Sequence, residues 1–114
     1  MSDTTPQDYI HAVLEFYLQL PDTPAYFSDL DHRQALQWQQ QQVPLPTLVL
    51  ALLLACSRRA SRSPQAPPLP PIRSLRYFQP VLEELQANPP SARVAAYLRY
   101  KAEKLLNLPI PPTA

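Results

Sequence analysis

The sequence predicts an all-α fold, a compact bundle of about five helices, and three observations point to it. The 114 residues include no glycine, they include sixteen prolines, and their apolar residues recur at helical spacing. Tight hairpin turns depend on glycine and central strands do not tolerate proline, so a sheet is disfavoured. Proline instead ends helices and fits their first turn. We therefore expect helices separated by proline breaks.

The first two helices are predicted from the residues at their N-termini. Thr5 can cap a helix that begins at Pro6, and apolar residues at helical spacing follow until Pro21 ends the helix. A second helix is expected to begin at Ser28, because Asp31 follows at the spacing of a capping box. This helix extends to about residue 42.

The middle of the chain predicts a buried helix followed by a stiff loop. The third helix, at about 46–60, is apolar on nearly every side and is therefore expected to lie at the centre of the bundle. The segment 61–73 is a proline-rich loop. Ser74 is expected to cap a fourth helix at 75–85, in which Pro80 either introduces a kink or marks the true start.

A fifth helix is predicted at about 91–107. It has an apolar stripe at helical spacing, formed by Ala95, Leu98, Ala102, Leu105 and Leu106. The length of the chain predicts one domain, residues 1–107, followed by a proline-rich tail at 108–114.

The composition disfavours several classes of function. Without glycine the chain lacks the loops that cradle phosphate or dinucleotides. His11 and His32 have no partner at metal-ligand spacing, and Cys56 lies in the apolar third helix, where a small core residue is expected. We therefore expect no catalytic residue, no metal ligand and no cofactor, and predict that the protein is not an enzyme.

Two features of the sequence bear on where the protein is located. The longest apolar run, 48–56, is shorter than the roughly 20 residues of a membrane span. The N-terminus is acidic and lacks the basic-then-apolar order of a signal peptide. We therefore expect a cytoplasmic protein that has no membrane partner.

Charge is sorted along the chain, although the net charge is only +1. Residues 1–31 contain acids and no Lys or Arg, whereas residues 32–82 contain arginines and no acid. If the third and fourth helices are neighbours, the proline-rich loop brings five arginines to one end of the bundle, where they would attract phosphate. Tyr77 adjoins this cluster and could stack on a base. Arg33 is expected to lie elsewhere; the cluster comprises Arg58, Arg59, Arg62, Arg73 and Arg76.

The fifth helix offers a second basic surface. Arg93, Tyr97, Tyr100 and Lys104 fall at spacings of four, three and four residues, opposite the apolar stripe. Basic residues interleaved with aromatics on one face are typical of nucleic-acid binding. Two alternatives stay open: the helix face is simply solvated with its tyrosines half-buried, or the arginine cluster pairs with the acidic N-terminal segment within the monomer.

The proline-rich loop also has two interpretations. Residues 68–73 match the pattern PxxPx-Arg that aromatic-grooved domains recognise in a polyproline helix. Alternatively the loop is a stiff connector that packs Leu69 and Ile72 against the core.

Three segments share the pattern of a known family. They are 29-DLD-31, 43-VPLPTLVLALLLA-55 and 72-IRSLRYFQPVLEEL-85. Together they resemble the helical domain of DnaD-like and phage replisome-organiser proteins, over residues 28–86. The resemblance implies an accessory protein of DNA replication or of a mobile element, which binds DNA and contacts a helicase loader or an initiator. It also implies that Tyr77, Arg73 and Arg76 lie on the DNA side.

The leading functional hypothesis is therefore a small nucleic-acid-binding accessory protein, with DNA favoured over RNA. The alternative is a non-enzymatic interaction subunit of a larger assembly or a homo-oligomer, in which the acidic N-terminal segment meets a basic partner.

Overall fold

The computed structural model describes residues 5–107, which form five α-helices and one short 3-10 helix, so the all-α bundle is confirmed. The predicted tail at 108–114 lies outside the described residues. The α-helices are α1 (Pro6–Gln19), α2 (Asp29–Gln40), α3 (Leu45–Ala60), α4 (Gln79–Ala87) and α5 (Ala92–Leu105), and the 3-10 helix is Leu75–Phe78.

Local side-chain caps define the starts of three helices. The Thr5 hydroxyl accepts the Asp8 N–H at 3.0 Å at the start of α1. At α2 the predicted capping box is confirmed, because Ser28 and Asp31 each accept the backbone N–H of the other, at 3.3 and 3.0 Å. Ser91 accepts the N–H of Val94 in the same way at α5.

The fourth helix differs from its predicted form. Ser74 makes no capping bond, because the chain first turns through the 3-10 helix at 75–78. The α-helix begins at Gln79, with Pro80 in its first turn, where a missing N–H costs nothing. Of the two expectations for Pro80, the true start is confirmed.

The third helix lies at the centre, as predicted. It packs against α1, α4, α5 and the 3-10 helix. Its buried side chains face in nearly every direction, so the α-helices α1, α4 and α5 all cover apolar surface on it. These side chains are Leu48, Leu50, Ala51, Leu52, Leu53, Ala55 and Cys56.

Two buried polar contacts join the first half of the chain to the second. Asp31 is buried, and besides its capping bond its Oδ1 accepts the N–H of Leu75 at 2.9 Å. The Trp38 indole donates to the Gln79 side chain at 2.8 Å. Both contacts hold the 3-10 helix and the start of α4 against α2, which determines where the arginines on either side of the proline-rich loop lie.

Three residues replace glycine at left-handed positions. Asp22, Gln42 and Asn107 have φ of 63°, 61° and 55°. At the end of α2 the N–H of Gln42 bonds the carbonyl of Gln39, and the N–H of Val43 bonds that of Trp38, at 3.0 and 3.1 Å. This is a Schellman motif in which Gln42 occupies the position that glycine usually fills.

Two apolar residues are more exposed to solvent than the sequence predicts. Leu105 was predicted in the apolar stripe of α5, but it is half-exposed, and Glu103 is the buried residue there, 3.6 Å from Arg99. Leu69 was expected to pack on the core in the connector interpretation, but it is 41% exposed, whereas Ile72 is buried and donates its N–H to the Asp22 carbonyl at 2.8 Å.

Candidate nucleic-acid interface

The structure brings three of the five clustered arginines together with Tyr77. Arg58, Arg59 and Arg62, on and just after the last turn of α3, line a groove of about 340 Å³ with Tyr77 of the 3-10 helix. We call these four residues the arginine groove. Leu69 from the proline-rich loop and the first turn of α4 complete its walls. Arg73 and Arg76 line other cavities and do not belong to this groove.

Arg59 is occupied by internal contacts. Its guanidinium donates to the Tyr77 hydroxyl at 3.2 Å, to the Asp22 carboxylate at 3.3 Å and to the Pro70 carbonyl at 2.9 Å. The side chain is only 10% exposed. Burial acts to lower its pKa, but the bonds to Tyr77 and Asp22 outweigh burial and raise the pKa above its ordinary value. Arg59 therefore ties the α1–α2 turn, the proline-rich loop and the 3-10 helix together.

Arg58 is paired as well, but at the surface. It donates two bonds to the Glu84 carboxylate of α4, both at 3.0 Å, in the bidentate geometry of strong arginine–carboxylate pairs. These bonds raise the pKa of Arg58 and lower the pKa of Glu84. More than half of each side chain is solvent-exposed. A ligand phosphate would have to compete with Glu84 for Arg58.

Arg62 is the arginine of the groove that remains available. Its side chain is exposed, and among the described residues no carboxylate forms a salt bridge with it. It also lines a second cavity of about 430 Å³, which it shares with Arg59, Ser63 and part of the proline-rich loop. An anion that enters either cavity would meet Arg62.

Arg73 and Arg76 lie beyond the loop. Arg73 lines a cavity of about 430 Å³ with Asp22 and residues 23–24. Arg76 lines a cavity of about 230 Å³ together with Leu30 and Arg33 of α2. Arg33 was expected to lie apart from the cluster, but the bond between Asp31 and Leu75 brings it beside Arg76. Sequence reasoning missed this neighbour because the two arginines are far apart in the chain.

The predicted face of α5 is open to solvent. Arg93, Tyr97, Tyr100 and Lys104 are exposed, with 59% of Tyr97 and 52% of Tyr100 accessible. The Lys101 ammonium lies 5.9 Å from the ring centroid of Tyr97, and that of Lys104 lies 5.6 Å from the ring of Tyr100. The opposite side of the helix packs on α3 through Ala95, Leu98, Ala102 and Leu106.

Most of the cationic side chains have no described acidic partner. The chain has ten Lys and Arg residues, and three of them, Arg58, Arg59 and Arg99, form salt bridges with carboxylates in the described part of the chain. Seven form no such salt bridge within residues 5–107, three on α5 and four near the proline-rich loop or on α2. They are Arg33, Arg62, Arg73, Arg76, Arg93, Lys101 and Lys104.

One exposed apolar segment was missed by the sequence analysis. Tyr26, Phe27 and Leu30 lie between α1 and the first turn of α2, and Tyr26 is 79% exposed. No contact was predicted for this segment from the sequence. Its signal was the aromatic pair in a polar, proline-containing turn, where large side chains are uncommon.

Metal-ligating side chains do not cluster in the described part of the chain. Over residues 5–107, His, Cys, Asp and Glu side chains form no group of three that could hold a metal ion. Cys56 is buried at the wall of the cavity of about 430 Å³ that Arg59 and Arg62 also line, and burial raises the pKa of its thiol to about 12. None of the helices described has both the length and the apolar character that a membrane crossing requires.

Comparisons with protein-family models, with curated proteins and with solved structures found no match to this chain.

Proposed function

We propose that this chain is a small, non-enzymatic, cytoplasmic protein that binds nucleic acid through phosphate contacts. The observation that carries the proposal is the set of seven cations without a described carboxylate partner, four of which adjoin the proline-rich loop or the start of α2 and three of which lie on α5. Arginine suits phosphate because its planar fork donates two hydrogen bonds at once. Tyr77, Tyr97 and Tyr100 add aromatic surface beside these cations.

The arginines of the arginine groove have different roles in this proposal, because their contacts differ. Arg62 would bind phosphate directly, because it has no competing carboxylate in the described structure. Arg59 would keep the groove in shape rather than bind, since its guanidinium is already bonded to three groups. Arg73 and Arg76, together with Arg33, which lines the same cavity as Arg76, would continue the positive surface beyond the loop.

The salt dependence of binding tests the proposal. Affinity for fluorescein-labelled DNA, measured by anisotropy, is expected to fall by about 0.7 to 0.9 log units per log unit of salt for each phosphate contacted. Arg62→Ser should reduce this slope by about one contact. The matched control is Gln7→Glu, which changes the net charge by the same amount at an exposed position on α1. Binding that is insensitive to salt, or absent at low salt, would contradict the proposal.

A role in DNA replication or in a mobile element is the more specific form of this proposal. It is supported by the resemblance of residues 28–86 to DnaD-like and phage replisome-organiser domains, which would also favour DNA over RNA. Parallel titrations of DNA and RNA strands of the same sequence test that preference. Tighter binding to RNA would contradict it.

The second candidate is an interaction subunit, and the exposed Tyr26, Phe27 and Leu30 favour it. Large apolar side chains that are exposed close together commonly mark a protein contact. Sedimentation of the full chain, compared with a Tyr26→Ser, Phe27→Ser, Leu30→Ser variant, tests self-association through this segment. Leu105→Ser, at a half-exposed position on α5, is the control. A monomer at all concentrations, with no difference between variants, would contradict a homo-oligomer.

A further inference from the structure

A groove between α3 and α5 has walls of three different kinds. Its volume is about 520 Å³, within the range of small-molecule sites. Leu54 and Leu98 contribute apolar surface, Ser57 on α3 and Ser61 just after it contribute hydroxyls, and the α5 wall has tyrosines and lysines. The two sides of the groove are α3 and α5. Because these helices pack directly on each other, the shape of the groove is determined by the core rather than by a loop.

The α5 wall combines flat aromatic rings with positive charge. Tyr97 and Tyr100 both line the groove and are more than half exposed. They are three residues apart, which is a rise of about 4.5 Å along the helix. Lys101 and Lys104 lie near the two rings and also line the groove. At such exposed sites a lysine–ring contact is weak, so the lysines can turn from the rings to a phosphate at little cost.

We infer that this groove holds unpaired bases of a single-stranded nucleic acid, which stack on Tyr97 and Tyr100 while Lys101 and Lys104 contact the adjoining phosphates. The inference rests on the proposed function and makes it more specific, because it names the form of nucleic acid. The serine hydroxyls opposite can donate to or accept from a base edge, and they can do so for any base because a hydroxyl rotates.

The distinction between single and double strands follows from what each form exposes. In a duplex the faces of the bases are covered by neighbouring bases, and only their edges are reachable from the grooves. A tyrosine ring on a helix surface can therefore stack only on a base that has left the duplex or was never paired. A duplex could contact the lysines of this wall with its phosphates, but none of its paired bases would stack on Tyr97 or Tyr100.

The test compares an oligothymidylate with a mixed-sequence duplex of the same length, both fluorescein-labelled, in anisotropy titrations of the full chain. The variant Tyr97→Leu, Tyr100→Leu should weaken single-strand binding by about fivefold or more for each tyrosine replaced, since stacking contributes about 1–3 kcal/mol per base. Duplex binding and the salt slope should stay unchanged, because no phosphate contact is lost. The control is Val94→Ala, which truncates an exposed apolar side chain of the same helix that does not line the groove.

Three further ligands show which part of the nucleic acid is recognised. Polyphosphate competes for the lysines but offers no base, so its inhibition constant should be the same for the unmodified chain and for the tyrosine variant. An oligouridylate distinguishes RNA from DNA single strands, and thymidine monophosphate tests whether a free nucleotide is sufficient. Displacement by the monophosphate at concentrations comparable with those of the strand would overturn the assignment to a polymer.

Failure of the inference is distinguishable from failure of the proposed function. If the duplex binds as tightly as the single strand and the tyrosine variant changes neither affinity, the inference is wrong and phosphate binding still holds. If the unmodified chain binds neither form at low salt, both are wrong. Circular dichroism of the variant confirms that a loss of binding does not reflect unfolding.

Discussion

Two surfaces of this molecule place basic residues beside tyrosines, and the two differ in what the cations already contact. In the arginine groove, Arg58 is held by Glu84 and Arg59 by Asp22, Tyr77 and the loop backbone. On the α5 face, the hydrogen bond and the cation–π contacts that Lys101 and Lys104 make within the described residues are with tyrosines of their own helix. The first surface uses much of its charge to hold the fold together, whereas the second keeps its charge available.

The difference teaches that a cluster of arginines in a sequence is not a measure of the charge available to a ligand. A guanidinium with five donors can join several chain segments, as Arg59 does, and is then part of the scaffold. A lysine on the outer face of a helix has no such role. Binding affinity should therefore depend more on Arg62 and the α5 face than on Arg59, and stability should show the opposite order.

The largest expected effect concerns stability. Arg59→Ala removes three hydrogen bonds at a side chain that is one-tenth exposed, and we expect it to reduce the free energy of unfolding by about 2–3 kcal/mol. Lys101→Ala on the α5 face should change it by less than about 0.5 kcal/mol. Urea unfolding followed by circular dichroism measures both. Equal effects of the two variants would remove the distinction between the surfaces.

An intermediate effect concerns the burial of α3, the helix that carries Arg58 and Arg59 and packs against α5. Burial raises the pKa of Cys56 on α3 to about 12, against an ordinary value of 9.0, and the pKa of Tyr9 is also raised by burial, to about 12. Because these groups ionise first in the unfolded chain, their stabilisation is complete below about pH 9 and is lost as the pH rises towards 12.

The measurement is the free energy of unfolding between pH 8 and pH 10. We expect Cys56 to contribute a loss of roughly 1 kcal/mol by pH 10. Cys56→Ala should flatten this part of the pH dependence, whatever its effect at neutral pH. An unchanged slope in the variant would mean that the thiol is not protected in the folded state.

The smallest effect separates stability from binding. Gln42→Gly removes a Cβ from a left-handed position at the end of α2, far along the chain from either surface, and should stabilise the protein by about 0.5–1 kcal/mol. The neighbouring Gln41→Gly, at a right-handed φ of −78°, should destabilise it instead. Thermal unfolding measures both changes. Nucleic-acid affinity should be the same in the two variants, since neither alters a cation.

The features that sequence reasoning predicted correctly depend on residues close together in the chain. The caps at Thr5 and Ser28 and the start of α4 at Pro80 are each determined within about one helical turn. The central position of α3 also follows from its own composition. In each case the deciding contact could be read from adjacent residues.

The features that could not be predicted depend on distant partners. Arg58 meets Glu84 across 26 residues, and Arg59 meets Asp22 across 37. No local pattern specifies which of several acids each arginine will contact. The sequence therefore predicted the location of charge along the chain, but the division between paired and available charge needed the packing of α3 against α4 and the α1–α2 turn.

The proline-rich loop at 61–73 has the composition of a linker between domains, yet the contacts of Asp31 and Trp38 extend across it to Leu75 and Gln79. Cleavage after the exposed Arg62 would break the chain without removing either of these bonds or the packing of α4 and α5 on α3. The two fragments would remain associated, and neither would have a complete core when separated. Cleavage in the loop would therefore break the backbone while the two fragments stay together as one folded molecule.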